Sequence, residues 1–101
     1  MIAVIDYGVG NLFSLQASLA YLGLQSVITD DPAVIDAADK VILPGVGAFG
    51  DAAGKLRRRG LEPALKRQKE AGKPLLGICL GMQLLLEESD EYGRHRGLGY
   101  I

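Results

Sequence analysis

Apolar residues recur along this chain in two periods, and the periods alternate. Ile2-Ala3-Val4-Ile5 is a continuous apolar run ended by Asp6, the pattern of a strand buried on both faces of a parallel sheet. Leu12, Leu15, Leu19 and Leu22 then recur at helical spacing. Asn11 is placed to cap their first turn and Gly23 to close the last. Ser26-Val27-Ile28-Thr29 reads as a second strand. Asp31-Pro32 opens a short helix, because a proline at the first helical position lacks only a donor that would have no partner there. Val41-Ile42-Leu43 is a third strand running into a glycine-rich loop, 44–50, after which Asp51 is predicted to cap a helix reaching about Arg58. Leu61, Leu65 and Gln68 mark another helical face, closed by Gly72. Pro74 to Ile78 is a fourth strand ended by Cys79, and a helix is predicted from Leu80 to about Glu88. After Ser89 the chain turns polar, and Gly97 to Ile101 reads as the start of a fifth strand.

Strands alternating with helices imply right-handed βαβ units and a doubly wound parallel sheet. The predicted order is 2-1-3-4, flavodoxin-like. Residues 1–101 are expected to form a single, partial domain: there is no repeat, linker or low-complexity segment, and the sequence stops inside a predicted strand, as a fragment or truncation would. A hydrophobic content of 49% is enough for a packed core, and a formal net charge of -1 argues against a dedicated nucleic-acid binder. The basic stretch of Lys55, Arg57, Arg58, Arg59, Lys66, Arg67 and Lys69 is diluted by Glu62 and Glu70, so it reads as a solvated helix face. One cysteine allows no internal disulfide and suits a reducing compartment. The N-terminus lacks the basic start and cleavage site of a signal peptide, and no apolar run approaches the ~20 residues that span a bilayer. The expectation is a cytoplasmic protein that engages neither membrane nor nucleic acid.

Gly77-Ile78-Cys79-Leu80-Gly81 has the spacing of a nucleophile elbow with cysteine in place of serine. A sharp strand-to-helix turn would push the thiol out of the sheet, and the flanking glycines would leave room for the backbone. At a helix N-terminus the thiolate, the reactive form, is favoured. The Leu80 N–H, expected to be free in the first helical turn, could donate to a tetrahedral oxyanion. The competing reading is a buried structural cysteine. Gly45-Val46-Gly47 follows the neighbouring strand, and ligand sites gather at the carboxyl ends of strands, so this loop and the elbow should share one crevice. An ordinary glycine-rich turn is the alternative there. Tyr7-Gly8-Val9-Gly10-Asn11 lies at the same edge but lacks the last glycine of a dinucleotide-binding fingerprint. His95, the only histidine, sits in the polar loop 93–97 and is read as a surface residue.

Taken together, three segments carry a resemblance. Gly77-Ile78-Cys79-Leu80-Gly81-Met82-Gln83 resembles the nucleophile motif of class I (triad-type) glutamine amidotransferases, a heptapeptide that also fits cytidine triphosphate synthases. Asp6 to Leu12 and Leu43 to Gly50 resemble the family of glutaminase subunits of imidazole glycerol phosphate synthase, the ammonia suppliers of histidine biosynthesis. The resemblance covers essentially the whole chain. It implies that Cys79 attacks the side-chain amide of glutamine, forming a glutamyl thioester that water hydrolyses. It places Gly47 and Leu80 at the oxyanion hole, Gly45 and Gln83 at the glutamine-binding site, and Asn11 on the face that meets a (β/α)₈-barrel cyclase, which receives the ammonia. No metal or organic cofactor is implied. The family completes its triad with a His and a Glu well downstream of the cysteine, and His95 is too close to Cys79 in sequence to match that His. Two other readings stay open. One is another cysteine-elbow α/β protein of the PfpI/DJ-1 kind, against which Gly81-Met82-Gln83 argues. The other is a non-catalytic half-domain that self-associates as a homodimer through an exposed sheet edge.

Overall fold

The computed structural model describes residues 1–86, 88–89 and 95–100, with the side chains of Glu88, Ser89 and His95 excepted. Four strands form one parallel sheet: β1 (Ile2–Ile5), β2 (Ser26–Thr29), β3 (Lys40–Leu43) and β4 (Leu75–Gly77), in the order β2-β1-β3-β4. The order is the flavodoxin-like one expected from the sequence. In the register, Val4 lies between Ile28 and Ile42, and Leu43 faces Gly77.

The helices are α1 (Leu12–Tyr21), α2 (Pro32–Ala37), α3 (Phe49–Arg58), α4 (Glu62–Glu70) and α5 (Leu80–Leu84). Alternate strand residues serve opposite layers, as the pleat requires. Ile5, Val41 and Leu43 pack with Ile35 of α2 and with Phe49, Leu56, Leu65 and Leu84 of α3, α4 and α5. Val4 and Ile42 face the other way, against Leu19 of α1. Among the described residues cover is therefore unequal: four helices on one face and α1 alone on the other. Beside α1, an apolar groove of about 480 Å³ runs past Ile2, Leu24, Ile42 and Leu76.

Capping follows the sequence in the first half. Asn11 Oδ1 accepts from the Ser14 N–H at 3.3 Å, and Asp31 Oδ1 from the Ala33 N–H at 2.9 Å with Pro32 next in line. Gln68, expected on a helical face, is 2% exposed and satisfied. It donates to Asp36 and to the Ala64 carbonyl (3.0 Å), and its Oε1 accepts from Lys73 (2.7 Å). The Arg67 guanidinium, then Gln68, hold the Asp36 carboxyl below the usual carboxylate range. Most of the basic stretch is similarly engaged: Arg57 pairs with Glu62 (3.1 Å), Arg59 with Asp30 (3.4 Å) and Arg67 with Asp36 (3.2 Å).

Three boundaries differ from expectation. α3 begins at Phe49, not at Asp51: Ala48 is its cap residue without a side-chain cap, and Asp51 sits inside the first turn, where its charge complements the helix dipole. α5 ends at Leu84, short of Glu88. The segment 97–100, expected to start a strand, is not one. Its N–H groups are engaged by the carbonyls that α5 leaves open, Leu98 to Leu84 (2.8 Å), Tyr100 to Leu85 (2.7 Å) and Gly99 to Leu86 (3.0 Å). Between them lies an antiparallel pair, β5 (Glu88–Ser89) and β6 (His95–Arg96), that periodicity did not announce. Residue 87, residues 90–94 and Ile101 lie outside the described residues, and with them the first two positions of the loop 93–97 assigned around His95.

Candidate active site

The site is built where β4 passes into α5. Ile78 continues the ladder, its N–H donating to the Leu43 carbonyl at 3.0 Å. Cys79 then turns to φ 54, ψ -121, the only non-glycine with positive φ among the described residues. Such a conformation costs about 1–3 kcal/mol and persists only where the surroundings impose it. Here they do. The Gly81 N–H donates to the Ile78 carbonyl (2.9 Å) and the Met82 N–H to the Cys79 carbonyl (3.0 Å), closing a tight turn around the cysteine. A Cβ on Gly77 would lie 2.5 Å from Met82 Cα, and one on Gly81 would overlap the Leu43 carbonyl oxygen. Both glycines are thus required by close approach of backbone to backbone, as the elbow spacing predicts. The thiol is exposed at the carboxyl end of the sheet, which rules out the buried structural reading of Cys79.

Two parts of the expectation change. α5 has five residues, so the helix dipole behind the thiol is shorter than a helix to Glu88 would give. The Leu80 N–H is not free: it donates to the Gly45 carbonyl at 3.3 Å. That same bond joins the glycine loop to the elbow, as the shared crevice requires. Gly45 is buried, and a Cβ there would meet the Tyr7 hydroxyl (2.7 Å), the Gly81 nitrogen (2.8 Å) and Leu80 Cβ (3.0 Å). Gly47, two residues on, is exposed at φ 92 with open space around it. Gln83 is exposed one turn beyond Cys79, its N–H directed to the Cys79 carbonyl (3.4 Å). Asn11 is exposed at the start of α1, and the loop before it leans on the same glycine segment: a Cβ on Gly10 would lie 3.3 Å from Pro44 Cβ.

Sequence reasoning missed Tyr7. Its side chain is fully buried and its hydroxyl donates to the Pro44 carbonyl. Burial pushes the phenol up to about 12, so it stays a donor at any physiological pH. No spacing rule singles out this residue, because its partner is 37 positions away. Among the described residues no group of three or more His, Cys, Asp and Glu side chains converges as a metal site would require, and no helix is long and apolar enough to cross a membrane.

Comparison with known proteins places this geometry. Residues 3–95 match the family model described as glutamine amidotransferase class-I. Proteins named imidazole glycerol phosphate synthase subunit HisH are similar throughout. The one from Sulfurimonas denitrificans is 56% identical over 101 residues, 100% of this chain and 49% of its own length. The one from Listeria innocua is 55% identical, also over 100% of this chain and 49% of its own length. The chain therefore spans about half the length of these curated relatives. Among solved structures, a glutamine amidotransferase superposes with a TM-score of 0.79 at 22% identity, over 98% of this chain and 52% of the other. A peptidase E-like protein from Listeria monocytogenes superposes with a TM-score of 0.77 at 15% identity, over 99% and 62%. Both likenesses concern the fold.

Proposed function

The chain belongs to the class I glutamine amidotransferases, and from that membership we propose that it is the N-terminal portion of a glutaminase subunit of imidazole glycerol phosphate synthase. The observation that carries this reading is Cys79, held exposed in a strained elbow between two glycines that accept no side chain. The thiolate attacks the side-chain carbonyl carbon of glutamine. The tetrahedral oxyanion collapses, the C–N bond breaks, and ammonia leaves with a proton from a general acid. A glutamyl thioester remains. Water adds to the thioester, the C–S bond breaks, and glutamate and the thiolate are released. Neither half-reaction calls for a metal or an organic cofactor.

Leu80 and Gly47 N–H groups are the proposed oxyanion donors. With Leu80 engaged by the Gly45 carbonyl, the peptide between Gly45 and Val46 must turn before that donor becomes available. Gly45 and Gln83 border the glutamine-binding position, and the Asn11 loop forms part of the face that meets a (β/α)₈-barrel cyclase, to which ammonia passes without entering water. The resemblance implies a triad His and Glu well downstream of the cysteine, and we assign them to the half of the relatives' length that this chain does not match. The setting is cytoplasmic histidine biosynthesis.

The first test is the thiol itself. In the folded chain Cys79 should react with iodoacetamide faster than a model thiol at neutral pH, since exposure and the turn both favour attack. Labelling slower than the model thiol, with the fold intact by circular dichroism, would show the elbow to be inert.

A second reading, a non-catalytic half-domain that pairs with its own copy, is favoured by one observation. β4 is hydrogen-bonded only to β3 among the described residues, and Leu76 on it is 57% exposed. An open edge recruits strands, and a twofold axis along it would give a closed homodimer. Light scattering at micromolar concentration should report a dimer or larger species; a stable monomer sinks this reading.

A further inference from the structure

We infer that Tyr7 is a positioning residue, which tethers the Pro44–Gly45 segment to the loop that follows β1 and so holds the glycine loop against the Cys79 elbow. Its purpose in catalysis rests on the glutaminase reading, but the tether stands on geometry alone.

The loop 44–47 carries four residues with little of their own to fix them. Gly45 and Gly47 bring no side chain, Val46 is 60% exposed, and the strand hydrogen bonding of β3 ends at Leu43. Two contacts hold the segment from below. The Tyr7 hydroxyl donates to the Pro44 carbonyl, and Gly10 closes on the Pro44 ring. One contact holds it from the side, the Leu80 N–H to the Gly45 carbonyl. Successive carbonyls of the segment are thus bound by different elements, Pro44 by the loop that follows β1 and Gly45 by the elbow. Fixing the Pro44 carbonyl fixes the plane of the Pro44–Gly45 peptide, and so one of the two ends about which the next peptide, which carries the Gly45 carbonyl, can turn. A Cβ at 45 would come within 2.7 Å of the hydroxyl and 2.8 Å of the Gly81 nitrogen, so the tether and the elbow both close on this glycine. Pro44 is buried, so without the hydroxyl its carbonyl would lose a partner that water cannot easily replace.

The test is Tyr7→Phe, which keeps the ring and removes only the donor. Amide hydrogen exchange should accelerate at Leu80 by about fivefold to tenfold, the loss of roughly one hydrogen bond of local protection. Ile78, bonded to Leu43, and the β1–β3 ladder should stay as they were. Unchanged exchange at Leu80 overturns the tether. So does equal acceleration at Leu80 and throughout the ladder, because Tyr7 would then support the core in general. If the variant does not fold, the wild-type chain decides the matter. A slowly exchanging Tyr7 hydroxyl proton with a cross-peak to Gly45 is expected by NMR, and its absence overturns the assignment. None of these readouts requires glutamine or turnover, so a failed tether and a failed glutaminase assignment are told apart.

Discussion

Assayed alone, this chain should release no glutamate from glutamine above the rate of a free thiol. Addition of a second polypeptide, corresponding to the half of the HisH relatives that it does not match, should restore release. Thioester formation needs a proton for the departing ammonia, and hydrolysis needs an activated water. A positioned imidazole normally serves both, for roughly 10²–10⁴-fold in rate. The only imidazole in the sequence is His95. Its backbone lies in β6, paired with Ser89, and the chain beyond it bonds to the carbonyls of Leu84 to Leu86. Those carbonyls are at the end of α5 opposite Cys79. The informative arms are the chain alone, the chain with its complement, and His95→Ala in both settings. Activity in the chain alone that disappears in His95→Ala would identify His95 as the base and refute the two-part site.

The other large effect is expected from Gly81→Ala, which should destabilise the chain by about 3 kcal/mol or more, at the upper end for overpacking. The added methyl would overlap the Leu43 carbonyl oxygen, a backbone atom of the third strand that cannot rotate away. α5 must then lift from the sheet and take Cys79 out of its turn. Gly60→Ala is the control. That position has φ 68 but nothing within 4 Å of the new carbon, so its cost is conformational only, about 1 kcal/mol. Urea midpoints at equal slope would measure both. A Gly81→Ala variant as stable as Gly60→Ala, with Cys79 equally reactive, would show that the elbow relaxes more cheaply than its contacts indicate.

The sheet was legible in the sequence because its strands are short apolar runs separated by loops with plain turn chemistry. Ile2–Ile5 and Ser26–Thr29 fall on the expected residues, and Asn11 and Asp31 cap the helices they precede. The elbow was legible because its two glycines are fixed by backbone contact, which leaves a constant spacing in the sequence. The failures share another cause. Whether α5 continues past Leu84 is decided by the returning segment 98–100, which engages its terminal carbonyls, and apolar leucines at 84–86 suit a helix until that segment arrives. The start of α3 at Phe49 is likewise tertiary, since Phe49 is fully buried in the large core and draws the first turn with it. The Leu80 donor was misjudged for the same reason: first-turn N–H groups are free only if no loop carbonyl comes to them, and Gly45 does.

The unequal cover of the sheet has a bearing on which part of the molecule yields first. α1 buries one residue fully enough to count, Leu19, while Phe13, Tyr21 and Leu22 of that helix and its end stay 82%, 91% and 68% exposed. The free energy needed to detach such a segment falls well below that of global unfolding. Detachment would release the Asn11 loop and with it the Gly10 contact on Pro44, while the Tyr7 hydroxyl bond and the elbow's own attachments, Leu80 and Leu84 in the four-helix layer, remain seated. α1 is thus the segment expected to come loose first, with Cys79 still held by its own turn.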